Sequence, residues 1–377
     1  MPCLNEADTL AVCILAAQKA LDEGNIAGEI IVADNGSTDG SREVAQRLGA
    51  RVVTVARRGY GSALMGGIAA ARGQYILMGD ADESYDFTEI PRFLTKLREG
   101  YDLVQGCRLP KGGGVVERGA MPLLHRWLGN PFFSYIARAW FKAPINDVQC
   151  GMRAFTKTLY RRMNQQCVGM EFASENIIKA SLLRAKIAEV PITLHRDGRM
   201  AHPPHLKTFR DGWRNLRFYL MFSPRRLFLL PGALLITLGM AGVCIAMPGL
   251  RIHGITFDVH TLLFASLAII AGYMSILFAL MTKLFAIGAG LLPADRRIER
   301  MFDFVNLEKG LLLGIVVTLA GLVLLGAAVN QWRIADFGQL DYSRTMRIVI
   351  PGTTLVTLGF QTLLSSFFVS ILGLRRK

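Results

Sequence analysis

Two carboxylates one residue apart, Asp80 and Asp82, close an apolar run that reads Tyr75-Ile76-Leu77-Met78-Gly79. A buried strand running into alternating acids points both of them out of the carboxyl edge of a sheet, where a divalent cation and a phosphorylated ligand can be held. Acid pairs also start turns and cap helices, so the meaning of this one depends on its company. Residues 29–33 lead into Asp34-Asn35-Gly36-Ser37-Thr38-Asp39-Gly40. The Asp34 carboxylate can accept from a base or ribose, and the small residues let a ligand approach the backbone; a plain strand-to-helix turn has the same make-up. After Val55 comes Arg57-Arg58-Gly59-Tyr60-Gly61-Ser62-Ala63, whose glycines, arginines and following helix start suit a diphosphate.

The elements that must position these residues alternate. Segments 29–33, 51–55, 74–78, 103–105 and 187–192 read as strands with helical patterns between several of them, which predicts an α/β domain around a largely parallel sheet. Near residue 227 the composition changes. Four apolar stretches follow, 227–247, 262–287, 311–329 and 348–374, each long enough for the roughly 20 residues a helix needs to cross hydrocarbon. Only the second carries an interior charge, Lys283, close enough to its end to snorkel. The domain plan is therefore 1–205 for the α/β part, 206–226 for a basic juxtamembrane helix and 227–377 for a four-helix membrane domain.

Arg296, Arg297, Arg300 and Lys309 between the second and third stretches, and Arg375-Arg376-Lys377 at the tail, place those segments on the cytoplasmic side. With four spans, the N-terminal domain is expected there too. Residues 1–6 show no basic and apolar signal-peptide regions, and the six cysteines lack Cys-x-x-Cys or zinc spacing, which fits reduced cytosolic thiols. The formal charge of +14 does not point to nucleic acid, because its cations are concentrated near the membrane half. Eight Lys or Arg lie between His195 and Arg226 against Asp197 and Asp211 alone. Leu206, Phe209, Trp213, Leu216 and Leu220 form an apolar stripe beside Lys207, Arg210, Arg214 and Arg217, the pattern of an interfacial helix on anionic lipid, with recognition of a lipid phosphate as a compatible second role. His202-Pro203-Pro204-His205 reads as a juxtamembrane turn rather than a metal site.

In order, Pro2-x-x-Asn5-Glu6, Asp34-Asn35-Gly36-Ser37, Gly59-x-Gly61-x-Ala63, Asp80-Ala81-Asp82, Gly106-Cys107-Arg108 and Asp147-x-Gln149-Cys150-Gly151-x-Arg153 resemble the family 2 glycosyltransferases of GT-A fold. Within that family the chain is similar to the polyprenyl-phosphate hexose synthases, the dolichyl-phosphate glucose and mannose types. The resemblance spans nearly all of 1–205 and, in general plan only, the membrane half. It implies a nucleotide-sugar site at Pro2, Asn5, Glu6, Asp34, Asn35, Gly36, Ser37, Arg58, Gly59, Gly61 and Asp80, with Mg²⁺ or Mn²⁺ on Asp80 and Asp82. In the family an apolar strand precedes the Pro-x-x-Asn-Glu segment, whereas this sequence begins at Met1, so a truncated first strand is expected. Ser84 stands where many mannose-type members have a Gln, which leaves a third metal ligand open. No Gln-x-x-Arg-Trp segment of the processive synthases is present, only Arg126-Trp127 after His125, which favours transfer of a single sugar.

The expected chemistry is transfer of one hexose, with inversion, from a UDP-glucose or GDP-mannose type donor to a polyprenyl phosphate. A phosphate nucleophile is already ionised and needs no base. Asp82, Arg108 and Arg153 are the expected catalytic residues, and Arg108, Arg118, Arg126, Lys207 and Arg210 the expected lipid-phosphate contacts. A lipid with an alcohol acceptor would instead need Glu171 or Glu175 as base. A translocator with a degenerate transferase domain is disfavoured by the intact acid pair and by spans without clustered charge. Donor identity and homo-oligomerisation stay open.

Overall fold

The computed structural model describes residues 1–199, 208–292 and 307–374. The expectations for His202, His205 and Lys207, for Arg296, Arg297 and Arg300, and for Arg375 to Lys377 lie outside the described residues. Two compact units divide the chain, Met1–Tyr219 and Leu220–Lys377.

In the first unit β1 (Pro2–Cys3), β2 (Ile31–Asp34) and β3 (Arg51–Thr54) form a parallel sheet in that order. A second sheet has the order β4 (Tyr75–Met78), β7 (Arg153–Thr156), β5 (Leu103–Cys107), β8 (Ile187–Pro191). β6 (Val115–Val116) and β9 (Thr193–Leu194) make a short parallel pair. The second sheet is mixed, not largely parallel as expected. β7 is antiparallel to both β4 and β5. It escapes notice in the sequence because it is four residues long and opens on an arginine. The reversal matters for the site, because it sets the start of β7 beside the carboxyl ends of β4 and β5: Arg153 pairs with Met78 on one side and Gln105 on the other.

Helices connect the strands, each burying one stripe. α1 (Leu10–Glu23) buries Leu10, Cys13, Ile14, Ala17 and Ala20, and Leu10 and Ile14 share a core with Cys3, Val32, Ala45, Ala50 and Ala81. The other core gathers Phe93 and Leu97 of α4 (Ile90–Arg98) with Val104, Met152, Ala154, Val190 and Ile192. A cavity of about 420 Å³, lined by Met1, Ile31, Ile68, Ile76 and Phe87 among others, lies between β2 and β4. Of the expected site residues only Pro2 lines it.

The second unit holds four helices long and apolar enough to cross a membrane, Arg225–Ala246, Val259–Gly288, Leu307–Ile334 and Tyr342–Gly373. The first two match their apolar stretches to within three residues at each end, and the last two extend theirs by a turn or more at one or both ends. Glycines bring the first and second backbones together, for a Cβ on Gly232 would stand 2.8 Å from the Gly272 carbonyl oxygen and one on Gly239 2.7 Å from that of Ala265. Gly314 with Gly359 and Gly321 with Gly352 do the same for the third and fourth. Between these pairs the contacts are polar and apolar: Ser266 with Thr354, Tyr273 with Thr362 at 2.6 Å, Arg347 with Asp258 at 2.9 Å, and a small cluster in which Ile350 and Met346 pack on Ala246, Val259 and Leu262.

Candidate active site

The alternation that the sequence implied around Asp80 is enforced by burial of the residue between the acids. Ala81 is packed into the core with Cys3, Leu10 and Val32, and its carbonyl accepts from Thr9 Oγ1 at 2.6 Å, so the flanking carboxylates turn away from that core. Asp80 Oδ1 accepts from the Tyr60 hydroxyl at 2.8 Å. Burial and the neighbouring Asp82 push the Asp80 carboxyl up to about 6, against the pull of the Tyr60 bond. Asp82 Oδ1 accepts from the backbone N–H and the hydroxyl of Ser84, at 3.1 and 2.5 Å. Its Oδ2 faces Arg199 Nη1 at 3.1 Å.

Arg199 was not singled out in the sequence, where it is one cation in a basic stretch. It donates through Nε and Nη2 to the two oxygens of Glu6, each at 2.7 Å, and through Nη1 to Asp197 at 2.7 Å. The backbone delivering it is tied along the acid turn: His195 N–H donates to Ser84 O at 3.1 Å and Gly198 N–H to Asp82 O at 3.0 Å. No sequence spacing announces this, since Glu6 and Arg199 are 193 residues apart.

The second acid-bearing edge follows β2. Burial opposes ionisation of Asp34, but bonds from Ser37, Arg42 and Gly36 outweigh it and hold its carboxyl below the usual range. Gly36 N–H and Ser37 N–H donate to it at 3.1 and 3.0 Å, and Arg42 Nε at 2.6 Å. Asn35 is a brace: its amide donates to Val55 O and Arg57 O and accepts from Gly59 N–H at 2.7 Å. Asn5 accepts from Thr38 N–H at 2.9 Å, and Ser37 Oγ accepts from Asn5 N–H at 3.0 Å. The Arg58 guanidinium lies over Gly36, within 3.1 Å of where a Cβ would be. Pro2, Asn5, Glu6 and Asp34 to Ser37 thus stand together at the carboxyl ends of β1 and β2.

Gly59 and Gly61 serve a different need from the expected one. Gly59, at φ +132°, precedes α3 (Tyr60–Ala70), and the space a Cβ would take is filled by the Val168 carbonyl at 2.3 Å; at Gly61 it is filled by the Cys167 carbonyl at 2.3 Å. Ser62 N–H donates to Val168 O at 3.2 Å, so one amide of the helix start is satisfied by that carbonyl. Glu175, on α7 (Phe172–Leu182), holds that segment by accepting from Gln166 N–H and Cys167 N–H, and pairs with Lys179 at 2.8 Å.

Two of the expected catalytic arginines are buried braces. Arg108 grips Asp147 through Nε at 2.7 Å and Nη2 at 2.9 Å, and donates through Nη1 to the Tyr85 hydroxyl at 3.3 Å. That hydroxyl accepts from Gly151 N–H at 2.8 Å. Arg153 is fully buried and donates to the carbonyls of Ala173 and Cys150, at 2.7 and 2.6 Å. Burial pulls its guanidinium below the ordinary arginine range. The reason is the face of β7 on which it stands, which turns the side chain under α7 and the 148–150 loop rather than outward. Arg108 nevertheless contributes to the charge balance at Asp80.

Arg118 is exposed, and its carbonyl accepts from Arg196 Nε at 2.7 Å. Arg126 lies on a π-helical turn, His125–Gly129, with its guanidinium 5.5 Å from the Trp127 ring. His125, lowered by burial and by Arg108, bonds Thr208 Oγ1 at 3.0 Å. Arg210 is on α8 (Thr208–Met221), whose buried residues are Asp211, Asn215, Phe218 and Tyr219. The apolar stripe read from the sequence lies on the other face, where Phe209 is 85 % and Trp213 60 % exposed. Among the described residues no bond joins Arg118, Arg126 or Arg210 to the acid pair.

The acid pair suits a hard divalent cation. Among the described residues no cluster of three or more His, Cys, Asp or Glu is arranged for a metal. Two carboxylates with phosphate oxygens and water completing the shell are what Mg²⁺ usually takes from a protein. The guanidinium on Asp82 shows that this edge draws positive charge.

Residues 1–163 match the family described as Glycosyl transferase family 2, and residues 280–373 match the Glycosyltransferase family 2 C-terminal transmembrane region. The low-salt glycan biosynthesis hexosyltransferase Agl6 of Haloferax volcanii is 35% identical over 378 residues, 99% of this chain and 88% of that protein. A dolichyl-phosphate hexose transferase of the same organism is 32% identical over 162 residues, 43% of this chain and 68% of that protein. Glucosyl-3-phosphoglycerate synthase from Mycobacterium tuberculosis, solved with Mn²⁺, UDP and glucosyl-3-phosphoglycerate, superposes with a TM-score of 0.46 at 23% identity, covering 58% of this chain and 76% of that one. On its mixed-sheet α/β unit, its four apolar helices and its match to Agl6 along almost the whole sequence, the chain belongs to glycosyltransferase family 2: it is a membrane glycosyltransferase with a GT-A domain and the family's C-terminal transmembrane region.

Proposed function

We propose that this glycosyltransferase moves a single hexose, with inversion, from a nucleotide-sugar of UDP-glucose or GDP-mannose type to a polyprenyl phosphate on the cytoplasmic face. Asp80 and Asp82 would hold Mg²⁺ or Mn²⁺. Bound there, the cation would supply neutralisation of the diphosphate leaving group. The chain's own residues do the rest. Asp34, fully buried and kept ionised by its three donors, shapes the Gly36-Ser37 turn at the nucleoside end, while Asn35 fixes the loop that carries Arg58. Arg108 and Arg153 keep the edge electropositive from within, which restrains two anionic substrates that would otherwise repel each other.

The observation that carries the phosphate acceptor is the state of Glu175. An alcohol nucleophile needs a base, yet this carboxylate is buried, bonded to two backbone N–H groups and paired with Lys179. A lipid phosphate, with a second pKa near about 6, is its own nucleophile. The name of the Haloferax volcanii dolichyl-phosphate hexose transferase is in keeping with that choice. Purified protein incubated with radiolabelled UDP-glucose or GDP-mannose should label undecaprenyl phosphate and leave undecaprenol unlabelled. Comparable labelling of the alcohol would transfer the reading to an alcohol lipid and require Glu171 as the base.

The exposed stripe on α8 supports docking on lipid. Phe209 and Trp213 face outward beside Arg210 and Arg214, and α8 ends four residues before the first membrane helix begins. Each such cation contributes about 1 kcal/mol of attraction at an anionic surface. Arg210→Gln with Arg217→Gln should therefore raise the apparent KM for the lipid acceptor by up to about thirtyfold, as two lost surface charges require, with the KM for the nucleotide-sugar nearly unchanged. Steady-state kinetics in vesicles containing anionic lipid check this, and an unaltered acceptor KM would mean that the stripe is only a solvated face.

A further inference from the structure

Arg199 meets the acid edge in a way that neither the family motifs nor the proposed transfer requires. Its fork is asymmetric in purpose: Nε and Nη2 lie on the two Glu6 oxygens, while Nη1 reaches Asp82 Oδ2 and Asp197 Oδ2. Glu6 is 5 % exposed, so its charge must keep a partner. The backbone below is fixed by the bonds from His195 and Gly198 to the Asp82–Ser84 turn. Gly198 lies close against the Glu83 side chain, for a Cβ there would stand 2.6 Å from Glu83 Oε2. Only the outer arm of the side chain is free to change partner.

A divalent cation bound to Asp82 would stand about 2.1 Å from a carboxylate oxygen. The guanidinium nitrogen at 3.1 Å from Oδ2 is then a like charge at close range. The two repel each other across Asp82, and an anion placed between them relieves that repulsion. A nucleoside diphosphate is such an anion, and a guanidinium arm is suited to its oxygens.

We propose that Arg199 is a positioning residue of the donor site: its Nη1 arm competes with the divalent cation for Asp82, and the diphosphate of the donor resolves the competition by taking that arm while the other two nitrogens stay on Glu6. The cation and the nucleotide then bind with positive coupling, each removing the obstacle to the other. The inference rests on the donor-site reading of Asp80 and Asp82 and adds to it a reason for ordered, mutually dependent binding.

Isothermal titration of the full-length protein in detergent tests it, with Mn²⁺ alone and with UDP or GDP in saturating Mn²⁺. Arg199→Gln should bind Mn²⁺ alone several-fold more tightly than the wild type and the nucleoside diphosphate about tenfold more weakly, the scale of one charge-assisted contact. Unchanged affinity for either ligand in this variant overturns the proposal and leaves Arg199 as a brace between Glu6 and Asp82. Thermal melting shows whether the variant is folded. Should it not be, Arg199→Lys keeps the charge but cannot hold Glu6 and a phosphate together, so it should bind Mn²⁺ alone like the wild type and the nucleoside diphosphate several-fold more weakly. An unchanged nucleotide affinity in that variant overturns the proposal equally. Wild-type protein that binds neither UDP nor GDP in the presence of Mn²⁺ would refute the donor site itself, a result distinct from any failure at Arg199.

Discussion

Asp82→Asn should lower hexose transfer by about two to three orders of magnitude, the usual scale for losing a group that stabilises leaving-group charge. The substitution is conservative in shape. Asn keeps an oxygen that accepts from Ser84 N–H and Oγ, so the turn and the burial of Ala81 survive. What it removes is the negative charge facing Arg199 at 3.1 Å and, on the proposed mechanism, one of the two carboxylates for the cation. Mn²⁺ binding should fall with the rate, and EDTA should reproduce the loss in the wild type. Full transfer in EDTA would eliminate the metal role. A slow variant with wild-type Mn²⁺ affinity would assign the charge of Asp82 to Arg199 alone.

The second large effect concerns stability. Arg108→Met leaves the Asp147 carboxylate, 0 % exposed, without the guanidinium that holds both its oxygens. Removing one partner of a buried pair costs about 3–5 kcal/mol, whereas replacing both by apolar residues is often close to neutral. Equilibrium denaturation of the N-terminal unit should show that loss for Arg108→Met and most of it restored in Arg108→Met with Asp147→Leu. The double replacement separates two roles that the sequence could not. A variant with wild-type stability and no transfer would return Arg108 to direct contact with substrate.

Much of the arrangement was legible because strands announce themselves locally. The apolar runs behind Asp34 and Asp80 are strands β2 and β4, and both acids stand at their carboxyl ends. The four membrane helices were equally readable, since about 20 apolar residues in a row have few other uses. What the sequence hid depends on contacts between distant segments. The glycines at 59 and 61 suggest room for a phosphate until the carbonyls of Cys167 and Val168 are seen in that room. Arginines in motifs suggest ligand contacts, yet Arg153 is turned inward to bond the start of α7 and the 148–150 loop, segments the motif does not reveal. A charged residue also reads as surface when it lies in a basic stretch, and that reading concealed Arg199.

The glycine pairs of the membrane unit bear on how such a protein can change over generations. Gly232 and Gly239 on the first helix, and Gly314 and Gly321 on the third, are seven residues apart and each meets a small residue of the following helix. Lipid offers no hydrophobic reward for association, so these close backbone approaches make each consecutive couple its own module. Between couples there are a few hydroxyl contacts, one ion pair and a small apolar cluster around Ile350, side-chain contacts that are more easily redrawn than a row of matched glycines. A duplication or deletion that moves one whole couple leaves every glycine facing its match, while one that moves a single helix strands a row of glycines against lipid. The membrane half is thus free to grow or shrink in twos, and resists doing so by ones.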